Sequence, residues 1–332
     1  MFDYARAADE SDAVTRGQAE GAKFIAGGTN LLDLMKLEIE APETLVDISR
    51  LAMTEVAETA ENGLSIGALV PNADLAAHAE VRARYPMLSR ALLAGASPQL
   101  RNKATTGGNL RQRTRCVYFY ELASACNKRV PGSGCPAIDG FNRNCAVLGT
   151  SDACIAAHPS DMAVAMRALD AVVTVRGADG VKRDIPIGDF HRLPGETPHI
   201  ETALNPGDLI THVTLPPATP ARQTYRKVRD RASYAFALVS IAASLTIEDG
   251  SIAKVKLAFG GIGTVPWRDP EVEAMLVGKA PSPTLFGEAA DRLLAAAVGH
   301  GHNDFKIALA RRLMVGTLSA LASGKLGDEV QA

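Results

Sequence analysis

Residues 101–161 read RNKATTGGNLRQRTRCVYFYELASACNKRVPGSGCPAIDGFNRNCAVLGTSDACIAAHPSD, and the rest of the chain reads as support for them. All five cysteines of the 332-residue chain fall here, at Cys116, Cys126, Cys135, Cys145 and Cys154. Gly, Pro, Ser, Asn and Arg surround them. Cysteine used as core filling is spread along apolar faces at helix or strand period, and this stretch has no such period. The thiols are therefore expected to bind something.

Three kinds of binding compete. Disulfides belong to oxidising compartments and usually to small secreted domains with an even cysteine count. This chain has five cysteines and a core large enough to need no staple. Structural zinc favours close C-x2-4-C pairs, because one knuckle then supplies two ligands without strain. The spacings here are C-x9-C, C-x8-C, C-x9-C and C-x8-C, which disfavours zinc. An iron–sulfur cluster also takes four thiolates but is larger, so a long wrapped loop can supply them. Arg113, Arg115, Lys128 and Arg129 would offset the thiolate charge, while Pro131, Gly132 and Gly134 let the loop turn tightly. Spacing alone does not say which of the five cysteines is spare.

Just upstream, Thr105-Thr106-Gly107-Gly108-Asn109 reads as a glycine turn, and it has a twin near the N-terminus. There Ala22–Ile25 reads as a strand, Gly27-Gly28-Thr29-Asn30 as a tight turn, and Leu31–Ile39 as an amphipathic helix ended by Pro42. A strand, a glycine turn and a helix start bring unpaired N–H groups to one point with partial positive charge behind them. One such turn is more simply a left-handed turn feeding a helix. Two suit a ligand with two phosphates, such as a dinucleotide. No G-x-G-x-x-G with a following acidic residue occurs, nor any G-x-x-x-x-G-K-[ST] loop.

Working outward, Met1–Tyr4, Thr44–Ile48, Gly63–Ala68 and Leu209–Leu215 read as strands. Asn72–His78, Met87–Leu93 and Asp161–Ala171 read as helices, and Ala171–Arg176 with Val181–Pro186 as a hairpin. Pro216-Pro217 marks a linker. Beyond it, Ala237–Ile247 and Ile252–Gly260 form a second hairpin about Asp249-Gly250, followed by helices at Glu271–Val277, Thr284–Val298 and Asp304–Ala322. Arg222, Arg226, Lys227, Arg229 and Arg231 crowd the entry to this last domain, as a solvated face or as a reach towards an anionic ligand.

A net charge of −2 and a pI near 6.4 argue against a general nucleic-acid binder. No run is apolar enough to span a bilayer. The first residues lack a basic n-region and an apolar h-region, so the expectation is that export, if any, occurs with a partner. G-x-S-x-G and H-E-x-x-H are absent, so no hydrolytic site is expected. No catalytic residue is expected on this chain.

The segments AGGTNLLDLMK, TTGGNLRQRTRC, ACNKRVPGSGC, HPSDMAVAM and YRKVRDRASYAFALVS together resemble the FAD-binding medium subunits of the xanthine dehydrogenase and carbon monoxide dehydrogenase family. Within that family the cysteine loop is similar to that of the flavin subunits of periplasmic molybdenum aldehyde oxidoreductases. A related loop occurs in 4-hydroxybenzoyl-CoA reductases, the alternative reading; a stand-alone flavin oxidoreductase is another.

The resemblance implies an α+β architecture. A PCMH-type (vanillyl-alcohol-oxidase-like) FAD-binding fold would comprise subdomains at 1–54 and 55–217, with an iron–sulfur insertion at about 111–157. A C-terminal domain like that of CO dehydrogenase flavoproteins would occupy 221–332. It implies FAD contacts at Ile25, Ala26, Gly27, Gly28, Thr29, Asn30, Leu31, Leu32, Thr105, Gly108, Asn109, Asp161, Ile210 and Lys227. It implies a [4Fe-4S] cluster on Cys116, Cys126, Cys135 and Cys154, with Cys145 as the spare. It further implies an electron-transfer role for this chain, from molybdenum through iron–sulfur clusters to FAD and an external acceptor, in a heterotrimer that oxidises aldehydes to acids. A large molybdenum-cofactor subunit and a small [2Fe-2S] subunit would be the partners, in the periplasm by co-export or in the cytoplasm.

Overall fold

The first strands to pair are β1 (Asp3–Arg6), β2 (Ala22–Ile25) and β3 (Thr44–Asp47), which form a parallel sheet in the order β1-β3-β2. The computed structural model describes residues 2–326. Met1, expected in the opening strand, and residues 327–332, expected in the last domain, lie outside the described residues. Parallel neighbours need crossovers, and the helices Glu10–Gly17 and Leu31–Lys36 supply them. Asp9 caps the first by accepting from the Asp12 N–H. The second ends earlier than the expected Ile39 because Glu38 takes a positive φ of 57°.

The central sheet has the order β4-β5-β8-β6-β7 and is antiparallel throughout. Its strands are β4 (Val56–Glu58), β5 (Leu64–Gly67), β6 (Val172–Arg176), β7 (Lys182–Pro186) and β8 (Leu209–Leu215). Alternation along β8 buries Leu209, Thr211, Val213 and Leu215. Val213 and Leu215 join a core closed by the helices Pro86–Ala94 and Asp161–Ala168, while Leu209 joins the core of the first sheet with Val46 and Leu51. The latter is shorter than expected because Asp170 turns left-handed, with φ 55°.

The third sheet, β11-β10-β9, is built from β9 (Arg222–Val228), β10 (Val239–Glu248) and β11 (Ser251–Gly260). Helices Pro270–Leu276, Pro283–Leu293 and Phe305–Ala322 pack on it through Ile241, Leu257, Phe286 and Met314. The basic run is thus a strand whose faces alternate. Tyr225 and Lys227 share the face that meets Asp161, Thr224 is buried on the other, and the Arg222 side chain reaches the carbonyls of Leu321 and Ala322 at 2.8 and 2.9 Å. The expected mixed helix and sheet architecture, with a small antiparallel sheet under helices at the C-terminus, is the observed one.

The cysteine stretch adds almost no regular structure, one helical turn at Val117–Tyr120 aside. It is held by the last domain. Val147 N–H donates to Ile262 O at 2.8 Å, Asn303 Nδ2 to Ala146 O at 2.9 Å, and the buried Lys306 Nζ to Cys145 O and Gly261 O at 2.8 and 2.7 Å.

Candidate cofactor-binding site

The N-terminal glycine turn follows β2 directly. Gly28 has φ +72°, a conformation glycine adopts without strain. Gly27 is required by space: a Cβ there would stand 1.7 Å from Lys103 O. That contact presses the turn against the segment leading into Thr105, so the two glycine segments adjoin. Among the described residues the backbone N–H groups of Gly27, Gly28, Thr29 and Asn30 have no acceptor. Asn30 Oδ1 accepts from Arg113 N–H at 3.1 Å, and its Nδ2 has no partner.

The second glycine segment is not the expected turn. Thr106–Leu110 is a short helix with Thr105 as its cap, Thr105 Oγ1 accepting from Gly108 N–H at 3.3 Å. Neither Gly107 nor Gly108 takes a positive φ. The Thr106 and Gly107 N–H groups are spent on Val70 O and Ala68 O at 3.0 and 2.8 Å. Gly107 is small because a Cβ would meet Ala68 at 3.1 Å. This segment contributes shape more than free donors.

Both segments line one cavity of about 870 Å³, within the range of cofactor sites. Ile25, Ala26, Gly27, Gly28, Thr29, Asn30, Leu31, Thr105, Gly108 and Ile210 all lie on its walls. Leu32, Asn109, Asp161 and Lys227 do not. Leu32 sits over Gly28. Asn109 Oδ1 accepts from Ser160 Oγ at 2.6 Å and Gln112 Nε2 at 2.7 Å, tying the short helix to the cap of the helix Asp161–Ala168. Asp161 and Lys227 form a buried ion pair at 2.7 Å, with Tyr225 donating to the same carboxylate and Lys227 also donating to Ala94 O at 3.0 Å.

Sequence reading missed several wall residues. Arg111 opens into the cavity, and its guanidinium has no hydrogen-bonded or ionic partner among the described residues. Its side chain is exposed to the open cavity, where desolvation by the surrounding walls pulls its pKa below the ordinary arginine value and the carboxylates of Glu201 and Glu40 act against that. His158 and His191 stack edge to face with ring centroids 4.3 Å apart. Burial lowers both, His191 to about 4 and His158 well below the usual histidine range, so both are neutral near pH 7. Only the glycine spacing was available to announce this cavity in the sequence. The histidines are far apart there.

The cations expected around the thiols have other partners. Arg113 pairs with Glu40 at 2.5 Å and Glu201 at 2.7 Å, and Lys128 pairs with Glu201 at 2.8 Å. Arg115 donates to Tyr120 Oη at 2.7 Å, and Arg129 to the carbonyls of Tyr118 and Phe119 at 3.0 and 2.8 Å. Their charge still reaches the thiols, since Lys128 lowers the pKa of Cys154 and Arg129 that of Cys126, against larger raising effects. Their hydrogen bonds fold the loop.

Cys116, Cys126, Cys135 and Cys154 line a second, small and mostly apolar cavity together with Phe119, Ala125 and Pro136. Among the described residues, no three Cys, His, Asp or Glu side chains converge closely enough for a single metal ion. Ala156 N–H donates to Cys154 Sγ at 3.5 Å, and the nearby backbone of Tyr118 and Phe119 at Cys116, Lys128 and Arg129 at Cys126, and Ile155, Ala137 and Ile138 at Cys135 favours the thiolate of each. Cys145 does not line this cavity; it packs with Ala137 and Ile155 against Cys116 and Cys135, and the largest influences on it are the Cys116 thiol and burial. A hydrogen bond from Cys145 pulls Cys116 down to about 7, and one from Cys154 pulls Cys135 down to about 6; the donors are pushed up correspondingly.

Two family models for flavin-binding proteins cover this fold and cavity. Residues 1–218 match the FAD-binding domain in molybdopterin dehydrogenases, and residues 223–321 match the CO dehydrogenase flavoprotein C-terminal domain. The chain belongs to that family. It is 55% identical over 319 residues to the aldehyde oxidoreductase FAD-binding subunit PaoB of Escherichia coli, covering 96% of this chain and 97% of that one. It is 27% identical to the glyceraldehyde dehydrogenase medium chain of Sulfolobus acidocaldarius, over 88% of this chain and 86% of the relative. In fold it is similar to a chain of carbon monoxide dehydrogenase from Hydrogenophaga pseudoflava, with a TM-score of 0.75 at 23% identity over 97% of each chain. Among the described residues, no helix is long and apolar enough to cross a membrane.

Proposed function

We propose that this chain is the FAD-binding, electron-transferring subunit of a heterotrimeric molybdenum-containing aldehyde oxidoreductase. A large molybdenum-cofactor subunit and a small [2Fe-2S] subunit would be its partners. Export, if it occurs, would be together with a partner. The observation that carries the reading is the 870 Å³ cavity lined by four consecutive backbone N–H groups without acceptors, beside an unpaired guanidinium. That donor set suits a dinucleotide diphosphate. The 55% identity to an aldehyde oxidoreductase flavin subunit supports the reaction assigned to the complex. The division at 1–54, 55–217 and 221–332 belongs to the same proposal.

Bound FAD supplies an acceptor that takes and releases electrons singly or in pairs. The chain's own contribution is to hold it. Residues 27–30 offer N–H donors, Arg111 offers charge, Ile210 offers an apolar contact, and the neutral histidines exclude water. Leu32, Asn109, Asp161 and Lys227 remain proposed contacts, although they stand behind the wall or beside it.

The same reading assigns Cys116, Cys126, Cys135 and Cys154 to a [4Fe-4S] cluster, with an insertion at about 111–157 as its loop. The residues fit. A single ion demands sulfurs within about 2.3 Å of one point, which these are not arranged to give, whereas a cube is held by more widely spaced thiolates around a dry cavity. The Ala156 N–H directed at Cys154 Sγ suits a thiolate ligand there.

Co-expression with the neighbouring subunits tests the assignment. Added aldehyde should bleach the flavin of the complex and leave the flavin of this chain alone unchanged. Aldehyde oxidation by the isolated chain would defeat it.

A further inference from the structure

Between β7 and β8 the chain makes an irregular loop, residues 192–200, whose neck is closed by backbone bonds. Arg192 N–H donates to Glu201 O at 3.0 Å and Ala203 N–H to Phe190 O at 2.9 Å. Surface loops of this size with adjoining ends are Ω-loops, and those that bury little open locally at low cost. Within this one Pro194 and Pro198 are buried and the rest are exposed. Its two ends line the cofactor cavity, Arg192 on one side and His199, Ile200 and Glu201 on the other. Its body rests on the cysteine stretch instead. Ser151 Oγ donates to Gly195 O at 2.8 Å, and Lys128 Nζ donates to Pro198 O at 3.0 Å and to Glu201 at 2.8 Å. Leu193 and Trp267 converge over Gly149, where a Cβ would stand 2.8 and 2.7 Å from them. Bonds from Thr197 N–H to Pro194 O and from Ile200 N–H to Thr197 O, at 2.9 and 3.0 Å, fix the loop's own shape.

We propose that residues 192–200 are a strap over the cofactor cavity, latched shut by Lys128 and Ser151 of the cysteine stretch. The inference rests on the reading of that cavity as a flavin site. Lifting the strap breaks the Lys128 and Ser151 bonds, while the neck and the loop's internal bonds persist, so it moves as one piece. Entry and exit of the ligand both need the lifted strap. The latch therefore slows both, and it changes the affinity less than it changes either rate. Lys128 also lines the cavity, and the two rates tell a latch from a direct contact. Loss of a contact speeds exit alone, whereas loss of a latch speeds entry as well.

The experiment uses the full chain. Entry of FAD into flavin-free protein and its exit on dilution are timed by flavin emission. Ser151→Ala and Lys128→Met should each speed both severalfold, with Kd shifting less than either rate, and Lys128→Arg should return both towards wild type. Amide hydrogen exchange should rise at residues 192–200 and stay unchanged in β9 and β10, which separates a lifted strap from a loosened fold. Trp267, the single tryptophan, should report the same opening through Leu193 as a change in its emission. Faster exit with unchanged entry would make Lys128 a wall contact and overturn the strap. Unchanged rates in both Ser151→Ala and Lys128→Met would overturn it too. A wild-type chain that takes up no FAD would end the flavin reading itself, and the strap with it.

Discussion

Lys306 Nζ lies 2.8 Å from the main-chain oxygen of Cys145, so a buried lysine of the last domain holds the one cysteine that does not line the thiol cavity. Burial pulls this lysine down to about 8. The contact ties the loop to the C-terminal sheet and explains how a stretch with little regular structure keeps four thiols around one cavity.

Lys306→Met removes the donor from two buried carbonyls, each costing about 1–3 kcal/mol when left unpaired. The expected result is a lower melting temperature and faster reaction of the loop cysteines with a thiol reagent in the iron-free chain. Cysteine reactivity equal to wild type would show that the loop does not depend on this anchor.

Gly27→Ala puts a methyl group where Lys103 O already stands, 1.7 Å away, and must separate the two glycine segments. FAD content should fall to background. Gly28→Ala imposes only the left-handed penalty, about 1 kcal/mol, together with a shift of the flexible Leu32. It should retain measurable flavin. Equal flavin content in the two variants, measured by absorbance after denaturation, would contradict this ordering.

Arg111→Leu deletes a cation with no protein partner, so the fold should hardly change while FAD binds about tenfold more weakly, a loss of about 1.4 kcal/mol. The salt dependence of binding should weaken with it. Arg113→Leu leaves Glu40 and Glu201 short of a partner and should destabilise the chain instead. Fluorescence titration of the flavin-free proteins separates the two effects.

His158 and His191 give a pH dependence whose sign is fixed by their lowered values. Unfolded histidine takes a proton near pH 6.5, whereas folded His191 takes one only near 4 and His158 well below the ordinary histidine value. Their stabilising contribution is complete above pH 6.5 and is lost as pH falls towards 4, at roughly 1.4 kcal/mol per pH unit for each site. The melting temperature should drop between pH 7 and 5, and less so in His191→Asn. Identical slopes for the variant and wild type would refute the assignment.

Much of this was readable from residues alone, and the exceptions have a common cause. The turn at Gly27 and Gly28 and the β6–β7 and β10–β11 hairpins are set by local chemistry, and they stand where the sequence puts them. The segment at Thr105–Asn109 reads as a second turn, yet Val70 O and Ala68 O, far back in the chain, capture its N–H groups and wind it into helix. The basic run after Ala221 looks solvated because the inward turn of Lys227 depends on Asp161, 66 residues away. Arg113 and Lys128 read as counter-charges for thiolates, but Glu40 and Glu201 arrive from other segments and take them. Local signals carry turns and hairpins; partners distant in sequence decide where charges go.

The most direct test of the account is a cofactor count on anaerobically purified chain with two single substitutions, Cys126→Ala and Cys145→Ala. The account predicts one flavin and about four irons per chain in the wild type, retention of both in Cys145→Ala, and loss of iron with retention of flavin in Cys126→Ala. Iron lost from Cys145→Ala and kept in Cys126→Ala, or zinc in place of iron throughout, would contradict it.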